Sequence, residues 1–203
     1  MAAIRAFLAV PLPLPVQRQL TALRRELGRS LPGLHWVRPE TAHLTLRFFA
    51  AASVDDLEKI RASMLSVTLR QRAFQVDLAG LGAFPGPRRP RVVWIGLAPA
   101  EPVQALYLAC QDELQRQGIP REPRAFEPHL TIGRFREHGP DLSALLAREG
   151  GRLTGRLPVT ELVLYESQLR PDGPRHTALF TAPLPERDDP LSNRTAQEGA
   201  EHG

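Results

Sequence analysis

Apolar residues recur along the chain with two periods, one typical of helices and one typical of strands. Between residues 16 and 27 they stand at positions 16, 20, 23 and 27, with charged residues between them and Gly28 directly after. This spacing predicts an amphipathic helix that ends at the glycine. Residues 4–10 form a short apolar run that meets a proline-rich stretch, which predicts a strand.

The helical and strand periods of apolar residues predict elements over most of the chain. Ser53, followed by two aspartates, has the character of a helix N-cap. We predict helices at residues 16–27, 53–69, 103–117 and 142–148, strands at residues 4–10, 34–37, 43–49, 74–84, 91–97 and 129–135, and a closing hairpin from residues 157–168 and 175–183. The order helix, strand, helix, hairpin occurs twice, which indicates an internal repeat.

The strand at the same place in each repeat carries the same tetrapeptide pattern, HLTL at residues 43–46 and HLTI at residues 129–132. Side chains alternate between the two faces of a strand, so the histidine and threonine of each copy share one face and the aliphatic residues share the other. Each copy therefore offers an imidazole and a hydroxyl above an apolar anchor. Two similar halves could bring these faces together across a cleft.

Composition narrows the class of protein. The chain has 203 residues, of which 42% are hydrophobic, and this suffices for a sizeable core. We predict a single two-lobed domain over residues 1–185 and a disordered tail over residues 186–203, where the sequence is polar and lacks periodicity. No apolar run reaches the ~18 residues of a membrane-spanning helix, and the apolar start is too short for a signal peptide.

Charge and cysteine content change this picture only a little. The net charge is +4, and every basic residue except Lys59 is arginine, which favours anionic partners weakly and reflects codon bias more than ligand choice. A single cysteine, Cys110, cannot form an intramolecular disulfide, which is typical of a reducing cytoplasm. Its apolar neighbours predict a core residue and not a nucleophile.

The paired motifs suit acid–base chemistry at a phosphodiester. Attack at phosphorus occurs in line with the departing oxygen, so the two proton transfers lie on opposite sides of the phosphoryl group. Of His43 and His129, one neutral imidazole can accept a proton and one protonated imidazole can donate one. Thr45 and Thr131 can donate hydrogen bonds to the nonbridging oxygens. The competing interpretation is a pair of ordinary histidines beside threonines that merely favour strands.

This scheme requires neither a metal nor a cofactor. The other histidines, at positions 35, 138, 176 and 202, do not show a metal-ligand spacing, and no acidic cluster flanks either motif. Two imidazoles alone would hydrolyse an unstrained diester slowly. We therefore expect a strained substrate, such as the five-membered 2′,3′-cyclic phosphate at an RNA end.

Both motifs, with their flanking residues, resemble those of a known family. Residues 43–48 (HLTLRF) and 126–134 (FEPHLTIGR) resemble the paired HxTx motifs of the two-histidine (2H) phosphoesterases, most closely the bacterial and archaeal RNA 2′,3′-cyclic phosphodiesterases, also called 2′-5′ RNA ligases. The resemblance extends over residues 4–184 and includes residues 167–174 (SQLRPDGP), which are similar to the final hairpin of that family.

The resemblance implies an α+β fold. Two pseudo-symmetric lobes of antiparallel sheet would carry helices on their outer faces, with the active-site cleft between the lobes. It also implies hydrolysis of terminal RNA 2′,3′-cyclic phosphate to a 2′-phosphate, with some reversible 2′-5′ ligation. Single-stranded RNA ends that carry a cyclic phosphate are the expected partner, and the protein is expected to be a cytoplasmic monomer.

Residue roles follow from the same resemblance. His43 would be the proton donor to the leaving 3′ oxygen and His129 the acceptor of the proton of water, although sequence symmetry leaves these roles exchangeable. Arg134 matches the family position that holds phosphate, but strict alternation from His129 turns it away from the cleft unless Gly133 permits a bulge. Arg47, on the same face as His43, is the competing phosphate ligand.

Two positions leave the recognition of the base open. Phe48 can stack on a nucleobase, but alternation groups it with Leu44 and Leu46, which favours core packing. An aromatic residue that the family often carries on its last strand corresponds here to His176, which leaves base stacking at that position open, and an ordinary histidine is the simpler interpretation.

Other functions are compatible with the same motifs. The main activity could be 2′-5′ ligation or hydrolysis of a small cyclic nucleotide, and a non-catalytic module could bind phosphorylated RNA ends in the same cleft. Binding alone would favour arginine and lysine at the motif positions, which argues against the last of these. Arg88, Arg89 and Arg91, beside a turn rich in proline and glycine, either contact the RNA backbone or form a solvated hairpin tip.

Overall fold

The computed structural model describes residues 3–170 and 173–186, and its elements confirm the α+β class. The strands are β1 (Ile4–Pro11), β2 (His35–Trp36), β3 (His43–Ala52), β4 (Phe74–Phe84), β5 (Val92–Ala98), β6 (His129–Arg134), β7 (Leu153–Val159), β8 (Glu161–Gln168) and β9 (Arg175–Pro183). The helices are α1 (Leu14–Leu27), α2 (Val54–Arg70), α3 (Glu101–Arg116) and α4 (Ser143–Glu149).

The helices follow from local sequence signals. Helix α1 buries the four apolar positions that the periodicity selects, Val16, Leu20, Leu23 and Leu27. Helix α2 begins at a capping box in which the hydroxyl of Ser53 accepts a hydrogen bond from the backbone N–H of Asp56 (3.1 Å). The carboxylate of Asp56 in turn accepts one from the backbone N–H of Ser53 (2.9 Å).

The strands within the described residues form one sheet in the order β7-β4-β5-β6-β3-β1-β8-β9, with β2 paired to β6, and every pairing is antiparallel. The sheet has two lobes that meet where β3 and β6 pair. We call β3, β1, β8 and β9 the first lobe, and β6, β5, β4 and β7, with β2, the second lobe. Each lobe places a motif strand at the centre of the sheet.

The two lobes exchange strands. The hairpin β4–β5 follows the first motif strand along the chain but joins the second lobe, whereas the hairpin β8–β9 follows the second motif strand and joins the first lobe. The repeat along the sequence is therefore present in the fold, but neither lobe is made from one half of the chain.

One predicted strand is wrong. Residues 157–168 do not form a single arm of the closing hairpin, because β7 ends at Val159 and β8 begins at Glu161. Strand β7 pairs with β4 in the second lobe, while β8 pairs with β1 in the first. The apolar pattern continues across the break, since residues on both sides are buried, and so the pattern conceals the change of lobe.

The core fills the space between the sheet and the helices and holds the motif anchors. Leu44 and Leu130 are fully buried there, and Cys110 of α3 is buried as well. Burial raises the pKa of the Cys110 thiol to about 12, which keeps it protonated at neutral pH and supports its interpretation as a core residue. Among the helices of the described residues, none combines the length and the hydropathy needed to cross a membrane. The tail expected at residues 186–203 lies, apart from Glu186, outside the described residues.

Candidate active site

The two motif strands meet at one paired position. Strand β3 pairs antiparallel with β6 through Leu44 and Leu130. Extending this register by one residue on either side sets His43 opposite Thr131 and Thr45 opposite His129. All four polar residues are half-buried while both leucines are buried, as the alternation predicts. Each imidazole therefore faces the threonine of the other motif.

Both imidazoles are held in the same way. Nδ1 of His43 lies 2.8 Å from the carbonyl oxygen of Thr41, and Nδ1 of His129 lies 2.7 Å from the carbonyl oxygen of Glu127. A carbonyl oxygen can only accept, so Nδ1 donates in each case. In the neutral ring this leaves Nε2 as the atom that accepts a proton.

A first cavity of about 280 Å³ opens on the His43 side of the paired strands. The ring of Phe7 stacks on the ring of His43 with 4.4 Å between centroids. The ring of His176 lies edge-on to the ring of His43, with 5.4 Å between centroids. The residues of this cavity that bear on function are His43, Thr45, Phe48, Thr131, Arg134 and His176.

A second cavity of about 490 Å³ opens on the His129 side. Thr45 and Phe48 line both cavities, so the two adjoin along β3. The ring of Phe84 meets the ring of His129 edge-on, with 5.0 Å between centroids. The other residues of this cavity that bear on function are Arg47, Arg124 and Phe126.

The two histidines differ in their electrostatic surroundings. The pKa of His43 is lowered to about 4, mainly by burial and also by the neighbouring charges of His176 and Arg134, against the effect of the hydrogen bond to Thr41. Burial also lowers the pKa of His129, but the backbone hydrogen bond to Glu127 and the carboxylate of Glu127 oppose this. Both rings are therefore predominantly neutral in the free protein at pH 7, and His129 has the counter-charge that His43 lacks.

A bulge brings Arg134 to the cleft. In the ladder between β5 and β6, Trp94 pairs with Thr131 and Val93 pairs with Gly133, so Ile132 is an extra residue. A bulge of this kind reverses the alternation beyond it. Arg134 consequently lines the first cavity, and its positive charge lowers the pKa of both motif histidines. The expected bulge is present, one residue before Gly133.

Strand β3 contains a bulge of the same kind. It places Phe48 at the cleft, so the interpretation of Phe48 as a core residue is wrong. In the ladder between β1 and β3, Ala9 pairs with Thr45 and Leu8 pairs with Arg47, so Leu46 is an extra residue. The side chain of Phe48 is 42% exposed and lines both cavities. Its offset from the motif histidine is the same as that of Arg134, and both reach the cleft for the same reason.

Arg47 is engaged elsewhere. Its guanidinium donates hydrogen bonds to Oε1 of Gln111 on α3 (3.0 Å) and to the carbonyl oxygen of Pro120 (2.8 Å), and it lies 3.8 Å from the carboxylate of Glu122. It lines the second cavity and not the first. The structure therefore separates it from Arg134 and gives it contacts within the protein.

Three residues of the first cavity and its surroundings did not emerge from the sequence as site residues. The guanidinium of Arg5 covers the ring of Phe48 at 5.2 Å and lines the cavity. Phe7 stacks on His43, and His176 reaches the same ring from β9. Strands β1 and β9 lie far from the motifs along the chain, and only the pairing of β1 with β3 and β8 brings them close. The family comparison was the only available signal, and it pointed to His176 alone.

The remaining candidates lie apart or are untested. His35 and His138 line neither cavity. Arg88, Arg89 and Arg91 lie at the exposed turn between β4 and β5, and their contact with RNA stays a prediction. Within residues 3–170 and 173–186, no group of three or more histidine, cysteine, aspartate or glutamate side chains is placed to hold a metal ion.

Comparison with known proteins agrees with this geometry. A family described as LigT like Phosphoesterase matches residues 10–94 and 96–176. The chain is 33% identical over 178 residues to an RNA 2′,3′-cyclic phosphodiesterase of Methanothermobacter thermautotrophicus, covering 86% of this chain and 95% of the relative. It is 30% identical over 171 residues to one of Archaeoglobus fulgidus, covering 84% of this chain and 95% of the relative.

Solved structures show the same fold. TT0787 of Thermus thermophilus superimposes with a TM-score of 0.75 at 27% identity, covering 90% of this chain and 99% of that one. LigT of E. coli complexed with 3′-AMP superimposes with a TM-score of 0.71 at 25% identity, covering 90% of this chain and 98% of that one.

Proposed function

We propose, because this chain belongs to the LigT-like phosphoesterase family, that it hydrolyses terminal RNA 2′,3′-cyclic phosphate to a 2′-phosphate. The observation that carries the proposal is the register of β3 and β6, which sets His43 opposite Thr131 and Thr45 opposite His129. With this register, the two imidazoles and two hydroxyls border the adjoining first and second cavities. The activity named for the relatives of A. fulgidus and M. thermautotrophicus supports the substrate class.

In the proposed mechanism, water attacks phosphorus from the side of His129, and Nε2 of that ring accepts its proton. The bond between phosphorus and the 3′ oxygen breaks on the opposite side, where protonated His43 donates a proton to the leaving oxygen. The hydroxyls of Thr45 and Thr131 donate hydrogen bonds to the nonbridging oxygens, which gain charge as water attacks. Arg134 holds the phosphate from the first cavity.

The surroundings of the histidines are unequal, and this order of roles requires bound substrate to favour protonation of His43, whose pKa is lowered to about 4 in the free protein. The carboxylate of Glu127 stabilises the imidazolium that forms when His129 accepts a proton. The lowered pKa of His43 makes its protonated form a stronger acid toward the leaving oxygen. A bound phosphate places a negative charge beside His43 and Arg134, which favours protonation of His43 when substrate is present.

The first cavity suits the terminal nucleoside. Phe48 offers an exposed aromatic face on which a base can stack, and Arg5 lies over that ring. The complex of E. coli LigT with 3′-AMP supports a nucleotide as ligand. We further propose that the partner is a single-stranded RNA end with a cyclic phosphate, and that the protein acts as a cytoplasmic monomer.

The proposal is tested on an oligonucleotide with a 2′,3′-cyclic phosphate, with EDTA present throughout. We expect His43→Ala and His129→Ala each to lower kcat by at least about 10²-fold, since each removes one proton transfer. His35→Ala, at an exposed histidine outside both cavities, serves as the matched control and should keep full activity. Chromatography and mass measurement of the product should identify a 2′-phosphate. Full activity in either motif variant, or a 3′-phosphate as product, would reject the assignment.

A further inference from the structure

The segment between α3 and β6, residues 117–128, carries the backbone group that holds His129. Nδ1 of His129 donates a hydrogen bond to the carbonyl oxygen of Glu127 (2.7 Å), which leaves Nε2 free to accept a proton. Burial lowers the pKa of His129, and the same hydrogen bond and the carboxylate of Glu127 oppose this. In the described structure the segment contains neither helix nor strand. The position of Glu127, and with it the orientation of His129, therefore depends on what holds the segment.

Helix α3 holds the segment at two points. Oε1 of Gln111 accepts a hydrogen bond from the backbone N–H of Glu122 (3.0 Å). The ring of Tyr107 stacks on the ring of Phe126, with 4.0 Å between centroids and 9° between planes. Tyr107 and Gln111 are both buried and stand four residues apart, so they share one face of the helix. The second of these contacts is made by the residue directly before Glu127.

Arg47 joins this assembly to the strand of the first motif. Its Nη1 donates a hydrogen bond to the same Oε1 of Gln111 (3.0 Å), and its Nη2 donates one to the carbonyl oxygen of Pro120 (2.8 Å). The carboxylate of Glu122 lies 3.8 Å from Nη1 and offsets its charge. Because the guanidinium is rigid and planar, its two nitrogens fix the start of the segment relative to α3 and β3.

The same contacts argue against phosphate binding by Arg47. Its side chain is only 10% exposed, and it lines the second cavity alone, whereas Arg134 lines the first. Turning the guanidinium toward a phosphate would break both hydrogen bonds of a side chain that is nine-tenths buried, which is costly. The geometry thus favours a role within the protein.

We infer that Arg47 is a positioning residue for His129. It locks residues 117–128 against α3, so that the carbonyl group of Glu127 keeps its hydrogen bond to Nδ1 and Nε2 of the ring faces the attacking water. This inference rests on the proposed function, in which His129 accepts the proton of water. The strand of the first motif then carries the proton donor and also orients the proton acceptor.

The experiment separates positioning from phosphate binding. The substrate is a dinucleotide that ends in a 2′,3′-cyclic phosphate, and kcat, KM and the affinity for the 2′-phosphate product are measured. Arg47→Ala removes both hydrogen bonds. Arg47→Lys keeps the charge, but a single nitrogen cannot reproduce the two bonds of the guanidinium in the same geometry. Arg152→Ala is the matched control, because Arg152 also joins separate elements, through Glu26 of α1 and Glu149 of α4, and lines neither cavity.

We expect Arg47→Ala and Arg47→Lys each to lower kcat at least about tenfold, because a displaced base transfers protons poorly. The affinity for the product should stay within about twofold of the wild-type value, since Arg134 still holds the phosphate. Nitrogen-15 NMR of the His129 ring should place the proton on Nδ1 in the neutral wild type and show a weaker preference in both variants. Arg152→Ala should keep the wild-type kcat. If Arg47→Ala fails to fold, Arg47→Lys decides the test.

Three results would overturn the inference and leave the proposed function intact. The first is an unchanged kcat in the Arg47 variants. The second is a product affinity that falls in Arg47→Ala and returns in Arg47→Lys, because lysine can hold a phosphate as a point charge. The third is an equal fall of kcat in Arg152→Ala, which would trace the loss to stability alone. Absence of hydrolysis in the wild type would overturn the proposed function and the inference with it.

Discussion

At the scale of single residues, the two motif histidines share a sequence context and a backbone anchor but not an electrostatic environment. The charge of Arg134 lowers the pKa of both rings, but His176 lowers that of His43, whereas the carboxylate of Glu127 raises that of His129. Chemistry that needs one donor and one acceptor requires such an inequality. It comes from residues outside the tetrapeptides, which explains why the motif symmetry in the sequence left the two roles exchangeable.

This inequality sets the pH dependence of kcat/KM, which reports ionisations of the free enzyme. The productive form has His43 protonated and His129 neutral, and the pKa of His43 is lowered to about 4. As pH falls from 8 toward 5 the protonated fraction of His43 grows, so kcat/KM should rise by up to about tenfold per pH unit. Protonation of His129 then ends the rise. Initial rates on a cyclic-phosphate dinucleotide would check this, and a kcat/KM that rises with pH over the same range would contradict it.

Stability should depend on pH through the same residue. A histidine in the unfolded chain binds a proton near pH 6.5, whereas folded His43 does so only near pH 4. The unfolded state therefore gains protons first as pH falls, and the free energy of unfolding decreases between these values, by at most about 3 kcal/mol. Urea titrations at several pH values should show a flatter dependence in His43→Gln than in the wild type. His35→Gln, at an exposed position, should keep the wild-type slope.

At the scale of elements, the bulges decide which side chains reach the cleft. The fourth residue of each motif, Leu46 and Ile132, is an extra residue in its ladder. Two residues further along, Phe48 and Arg134 face the cleft instead of the core. The bulges thus convert two tetrapeptides of the same pattern into a site with an aromatic face on one strand and a guanidinium on the other.

Gly133 follows one bulge directly and permits close packing. A Cβ at this position would lie 2.6 Å from two side-chain carbons of Leu34, so Gly133→Ala should lower the free energy of unfolding by about 1–3 kcal/mol. In urea unfolding, the loss in the double variant Gly133→Ala/Leu34→Ala should be smaller than the sum of the single losses, since removal of the leucine side chain relieves the clash. Additive losses would show that the two residues do not interact.

The sequence predicted the positions of the helices and strands better than the face of each strand on which a side chain lies. Periodicity located the buried stripe of α1, and the capping signal at Ser53 located the start of α2, because both depend on neighbours along the chain. The orientation of Phe48 could not be predicted in this way. It depends on one unpaired residue in a ladder with β1, and only the partner strand determines where that residue falls.

At the scale of the whole molecule, the exchange of hairpins ties the two lobes together. The first lobe needs β8 and β9 from the end of the chain, and the second needs β4 and β5 from its middle. The repeat order could be predicted from the sequence, but this exchange could not, because a repeat does not specify which neighbour each hairpin pairs with. Neither lobe can complete its sheet without the chain of the other.

We therefore expect the described fold to unfold in one cooperative step. Both tryptophans, Trp36 and Trp94, lie in strands of the second lobe, so their fluorescence reports that lobe, whereas far-UV circular dichroism reports the entire sheet. Urea curves from the two probes should coincide, as they do for a two-state transition. A fluorescence transition that is complete before the dichroism changes would indicate that the lobes unfold independently.

The pairing of Leu44 with Leu130 also bears on how such a centre can originate. Two identical His-x-Thr-x strands could pair across a twofold axis through the second residue of each. The imidazole of one strand would then lie opposite the hydroxyl of the other. One short peptide in a symmetric dimer would then supply all four polar groups, and later fusion of the two copies would free each to diverge. The same arrangement of four polar groups could be designed from one pair of antiparallel strands and one duplicated tetrapeptide.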